Sequence, residues 1–123
     1  MAQKDKIMTW VEAVEECSKI DSYLLEPRNE ELQSVAENFD GSWIGASDIL
    51  VEGNWTWESN GQPLTYTNWG PGQPNNYGSQ DCAMIDAQLT WQDVECGGRA
   101  PFVCQTEKHK QSKFYICMSD REA

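Results

Sequence analysis

The sequence contains no long apolar run, and nothing in it approaches the ~20 consecutive hydrophobic residues that a membrane-spanning helix needs. Basic residues are scarce. Nine Lys plus Arg against 20 Asp plus Glu leave a formal net charge of -11, a field that repels polyanions and argues against nucleic acid as a partner. The exception is a short basic stretch near the end, with Lys108, His109, Lys110 and Lys113. Histidine occurs once, at His109, with no patterned acid or nucleophile beside it. The carboxylate pairs Glu15-Glu16 and Glu30-Glu31 fall in segments with helical patterning, where they read as solvated charge. Hydrolysis needs an acid and a base whose pKa values are pushed apart within one cleft, and no such pair stands out, so an enzyme is not expected. A Gly-rich phosphate loop, an internal repeat and the two-residue cysteine spacing of zinc ribbons and redox motifs are also missing.

What is present fits one domain of 123 residues, with a lean apolar fraction of 39% offset by six Trp, four Tyr and three Phe. Five cysteines (Cys17, Cys82, Cys96, Cys104 and Cys117) are spread along the chain as disulfide staples tend to be; four can pair and one is left over. That density suggests an oxidising, extracellular setting. Met1 to Lys6 is polar and is not followed by the apolar core of a signal peptide, so secretion is inferred from the cysteines alone.

Thr9 and Glu12 have the spacing of a capping box, and Trp10, Val11, Ala13, Val14 and Cys17 then supply an apolar helix face. A short extended piece over 21–25 precedes a second helix that begins after Pro27-Asn29 and carries Leu32, Val35, Ala36 and Phe39 on one face, ending at Asp40-Gly41. Beyond Gly41 the period changes. Ser42–Ala46, the alternating Asn54–Trp57, Cys82–Ile85, Leu89–Trp91 and Pro101–Gln105 read as short strands, with Trp55 and Trp57 on one face. Residues 59–80 between them are rich in Gly, Pro and amides, and a loop of that length in a compact domain is usually functional. The six tryptophans are expected in the core. The order of elements gives an α+β domain.

Trp43-Ile44-Gly45, Glu52–Trp57, Asn68-Trp69, Pro71–Asn76, Asp81-Cys82, Trp91–Asp93 and Phe102–Cys104 resemble, in order and spacing, the C-type lectin domain. The resemblance runs from about Met8 to Gln105. It implies a C-type lectin-like fold over 9–106, with a lead at 1–8 and an extension at 107–123. It also implies disulfides Cys17–Cys104 and Cys82–Cys96, a sugar site on the long loop, and Cys117 either free or linking a dimer. Such domains usually open with a strand, for which little sequence precedes Met8. Lys113–Met118 is a β-like run, which a loop over 107–112 would fold back on Pro101–Gln105 at the vacated edge; a free tail is the other reading.

The family's primary Ca2+ ligands fall on Gln73, Asn75, Gln80, Gln92 and Asp93: four amides and a single carboxylate. Amide oxygens are acceptable ligands, but they do not neutralise a dication that has given up its water, so weak or no Ca2+ binding is expected there. The auxiliary Ca2+ ligands fall on Asp48, Glu52, Asn76, Gln80 and Asp81, where three carboxylates are retained, enough for a structural ion. No cofactor is therefore required, with Ca2+ at the auxiliary site the one candidate. An amide-lined pocket offers donors and acceptors to sugar hydroxyls or to an acetamido group, and Tyr77 is placed to stack on a pyranose. The function expected is a glycan-binding module with glycans or glycoproteins as partners, favouring N-acetylated sugars, with a role in recognising microbes suggested by the resemblance. The alternative is a C-type lectin-like protein whose loop binds a protein or a mineral.

Overall fold

The computed structural model describes residues 7–75, 80–108 and 111–116. Thr9 caps helix α1 (Trp10–Ser18): its hydroxyl accepts from the Glu12 N–H while the Glu12 carboxylate accepts from the Thr9 N–H. Such a cap stabilises a helix by about 1 kcal/mol. Trp10, Ala13 and Cys17 form the buried face of α1. Strand β1 (Tyr23–Leu24) follows, then helix α2 (Glu30–Ala36), whose first turn is closed by the Asn29 side chain accepting from the Leu32 N–H. The helix stops at Ala36 rather than at Asp40, because the Asn38 and Phe39 N–H groups turn back to Val35 and Ala36 carbonyls three residues away.

The remaining strands are β2 (Trp43–Ser47), β3 (Thr56–Trp57), β4 (Cys82–Ile85), β5 (Trp91–Val94), β6 (Val103–Lys108) and β7 (Gln111–Ile116). They form two antiparallel sheets, one ordered β3-β2-β4-β5 and one ordered β1-β6-β7. The second sheet ends on β7, which pairs with β6 from Val103↔Ile116 to Lys108↔Gln111. Pairing thus continues through positions where the sequence suggests a loop over 107–112. At the other end, Met8 exchanges two backbone hydrogen bonds with Ala100, of 3.1 and 3.0 Å.

Strand β5 begins at Trp91, two residues later than the apolar pattern suggests. The Asp86 carboxylate accepts from the N–H groups of Gln88 and Thr90 and from the Thr90 hydroxyl, holding 86–90 in a turn with Leu89 at φ 68°.

Two apolar clusters fill the interior. One surrounds Trp10, Leu24, Trp43 and Phe102, and the disulfide Cys17–Cys104 passes through it, closing a sequence separation of 87. A closure of that length constrains the unfolded chain by about 4–5 kcal/mol in the entropic account. The other surrounds Leu25, Ile44, Trp55, Trp57, Ile85 and Trp91. Five of the six tryptophans are buried, and Trp69 is half-buried against the second cluster. The disulfide Cys82–Cys96 ties β4 to the segment after β5.

Candidate functional site

The long segment after β3 is fixed to the core by aromatic rings. Trp69 meets Trp91 edge to face at 5.6 Å and Trp55 at 4.9 Å, while Tyr66 meets Trp91 at 6.1 Å. Backbone bonds complete the anchor: the Trp91 N–H donates to Asn68 O, and the Gly70 N–H donates to Trp91 O. A side chain at position 70 would bring Cβ within 2.8 Å of the Thr90 hydroxyl, which would have to be displaced. Beneath it Gln33, buried on α2, accepts from the Trp91 indole N–H at 2.9 Å and donates to Leu89 O at 3.0 Å.

The loop then turns through a cis Gln73–Pro74 peptide. Here the structure brings together Gln73, Asn75 and Asp93. The Asn75 N–H donates to Asp93 Oδ1 at 3.1 Å, and the Asp93 N–H donates to Gln73 Oε1 at 3.3 Å. Asp93 itself is buried in β5, whereas its strand neighbour Gln92 is half-buried on the alternate face. Asn76 and Tyr77, like Cys117, lie outside the described residues.

A second cluster forms beside β2 and β4. One ligand oxygen each from Asp48, Glu52 and Asp81 lie within 4.8 Å of one another. Asp48 is fully buried, and its Oδ2 accepts the Gly53 N–H at 2.8 Å, which closes the loop between them. Burial, followed by the neighbouring Asp81, pushes the Asp48 carboxyl above its usual range against the opposing pull of the Gly53 N–H. Glu52 is also raised, by desolvation first and then by the charges of Asp48 and Asp81. Among the described residues, Asp48 Oδ1, Asp81 Oδ1 and Gln80 Oε1 are buried acceptors with no hydrogen-bond donor. An unpaired buried oxygen is costly, and a hard dication is the partner that such oxygens suit. The donor set therefore fits Ca2+ at Asp48, Glu52 and Asp81, with Gln80 alongside. It does not fit at the loop, where one carboxylate stands among amides and its Oδ1 already accepts a backbone N–H.

A further buried acid, Glu26, carries no signal in the sequence. It follows Leu25 in what reads as an apolar stretch, and it is fully buried. Its carboxylate accepts from the Ser59 N–H at 2.9 Å and the Ser59 hydroxyl at 2.8 Å, with Arg28 Nε at 3.6 Å. Burial nevertheless raises its pKa to about 7. Gly45 packs against it, where an added Cβ would lie 3.0 Å from the Glu26 Cγ. Glu26 thus ties the start of the long loop to β2.

Residues 6–106 match the Lectin C-type domain family. The chain belongs to the C-type lectin domain family. Over 91 residues the domain is 40% identical to a mannose-binding protein of Gallus gallus, covering 71% of this chain but only 35% of that protein. It thus spans about a third of that relative's length. It is 34% identical over 122 residues to salivary C-type lectin 2 of Aedes albopictus, covering 85% of this chain and 81% of the relative. Among solved structures, it resembles the mouse scavenger receptor C-type lectin carbohydrate-recognition domain at TM-score 0.79 and 29% identity, covering 86% of this chain and 88% of that one. It also resembles a calcium-independent type II antifreeze protein at TM-score 0.74 and 29% identity, covering 84% and 81%. The fold is therefore the C-type lectin fold, α+β with two helices and antiparallel sheets. Members of the family are generally binding proteins rather than enzymes, and domains of this type typically bind Ca2+. No helix among the described residues is long and apolar enough to cross a membrane.

Proposed function

We propose that the domain is an extracellular glycan-binding module. It reads sugars on the long-loop surface around Gln73, Asn75 and Asp93 through hydrogen bonds rather than through a bridging ion. Gln80, Gln92 and Tyr77 are the further contacts, and N-acetylated sugars are the favoured class, since an acetamido group needs one donor and one acceptor and side-chain amides supply both. The observation that carries this reading is the hydrogen-bonded Gln73–Asn75–Asp93 cluster, a polar site organised by the chain's own backbone donors. Likeness to a calcium-independent member of the fold supports it. In this reading Ca2+ has a structural place, held by Asp48, Glu52 and Asp81, where it would neutralise a concentration of negative charge. Two disulfides support the extracellular setting.

A second reading, a lectin-like protein binding a protein or a mineral, is favoured by the same antifreeze likeness and by the loss of ligand carboxylates. A glycan array probed with the full chain, with and without EDTA, separates the two. The expected result is signal on N-acetylated sugars that survives EDTA. Abolition by EDTA returns the site to metal-mediated binding, and an array blank in both conditions leaves the second reading.

A further inference from the structure

A cavity of about 230 Å3 lies away from the Gln73–Asp93 cluster, walled by Trp10, Leu50 and Trp57, with Thr56 and Glu58 on its polar side. It is smaller than the roughly 300–1,000 Å3 of pockets that enclose whole small molecules, and suits a single large side chain. Leu50, 82% exposed, lines it and is the middle of three consecutive exposed apolar residues, with Ile49 at 48% and Val51 at 58% exposure. Single exposed apolar residues are ordinary, but an unbroken run of three beside an apolar cavity is a patch. The run is also held in shape. The Gly53 N–H donates to Asp48 Oδ2 at 2.8 Å, and the Asn54 N–H donates to Val51 O at 2.9 Å, so the ridge is presented on a closed loop.

Charge identifies the occupant. No Lys, Arg or His occurs between Arg28 and Arg99, a span that contains every wall of the cavity except Trp10. Exposed Glu58 lines the cavity. An anionic lipid surface would be repelled, whereas a cationic chain would be drawn in. We propose that the cavity and the Ile49–Val51 ridge form a docking site for a basic peptide segment of a protein partner. An apolar side chain of the segment enters between Leu50 and the tryptophans, and an adjoining Lys or Arg faces Glu58. The site is independent of the glycan reading, since it shares no residue with Gln73, Asn75 or Asp93.

Selection of a phage-displayed random heptapeptide library on the immobilised full chain in EDTA, followed by fluorescence titration of the enriched synthetic peptides, tests this. The expected peptides combine one large apolar residue with two or more Lys or Arg, bind more tightly as ionic strength falls, and do not compete with glycans. Leu50→Ser and Glu58→Gln, both at exposed positions, each weaken binding by about tenfold or more while melting temperature and glycan-array signal stay unchanged. No enrichment, enrichment of peptides without basic residues, or equal binding to Leu50→Ser and Glu58→Gln overturns the proposal.

Discussion

Two clusters of oxygen-bearing side chains lie on this domain, and they differ in what satisfies their oxygens. At Gln73, Asn75 and Asp93 the chain supplies its own donors: backbone N–H groups point at Asp93 Oδ1 and Gln73 Oε1. At Asp48, Glu52 and Asp81 the carboxylates face one another, and Asp48 Oδ1 and Asp81 Oδ1 are buried with no donor. In the first arrangement backbone dipoles of the chain meet the oxygens. The second concentrates negative charge that a cation would neutralise.

The largest expected effect separates burial from charge crowding. Glu26 accepts two hydrogen bonds from Ser59, yet burial raises its pKa to about 7. The fold favours its protonated form, so its contribution to stability is greatest below the ordinary value of 4.5, declines as pH rises from 4.5 to about 7, and is flat above that. The loss across that window is about 3 kcal/mol. Asp48 and Glu52, also raised, add to the same trend. Urea unfolding across this pH range should show stability falling with pH, and saturating Ca2+ should remove the part due to the acidic cluster while leaving that of Glu26. Glu26→Gln should flatten the Ca2+-independent slope. An unchanged slope in that variant would place the titration elsewhere.

The next effect is that of the ion itself. A ligand present at a hundred times its dissociation constant stabilises by about 2.7 kcal/mol, which for a domain of this size moves the melting temperature by several degrees. Ca2+ should produce that rise, EDTA should reverse it, and Asp81→Asn should abolish it, whereas Asp93→Asn should leave it intact. If Asp93→Asn removes the rise and Asp81→Asn does not, the roles of the two clusters are exchanged.

The parts of this structure legible in the sequence are those set by neighbours along the chain. The α1 capping box needs only Thr9 and Glu12, and the placing of Trp55 and Trp57 in one buried cluster needs only alternation. The family motifs carried the fold for the same reason, since their order is written along the sequence. What was not legible depends on distant partners. Gln33 looks like a solvent-facing helix residue until Trp91, 58 positions away, donates to it. Glu26 is held by Ser59, 33 residues away, and the Glu26 N–H donates to the side chain of Gln105, 79 residues away. The outward exposure of Ile49, Leu50 and Val51 has no signal in the sequence.

The smallest expected effect is the most direct intervention in the difference between the clusters. Gln73→Glu keeps the oxygen that accepts the Asp93 N–H, so the loop geometry is retained while one amide becomes a carboxylate. If the charge of the donor set is what keeps Ca2+ from the loop, this single change should add a second, weak equivalent of Ca2+ to the calorimetric titration. Its affinity should lie in the millimolar range typical of carboxylate-poor extracellular sites. Glycan binding should then acquire a partial sensitivity to EDTA, with an affinity change of about tenfold, or about 1.4 kcal/mol. If the variant takes up no second ion, the exclusion lies in the hydrogen bonds that occupy Asp93 rather than in the missing charge. The two clusters would then differ in geometry before they differ in electrostatics.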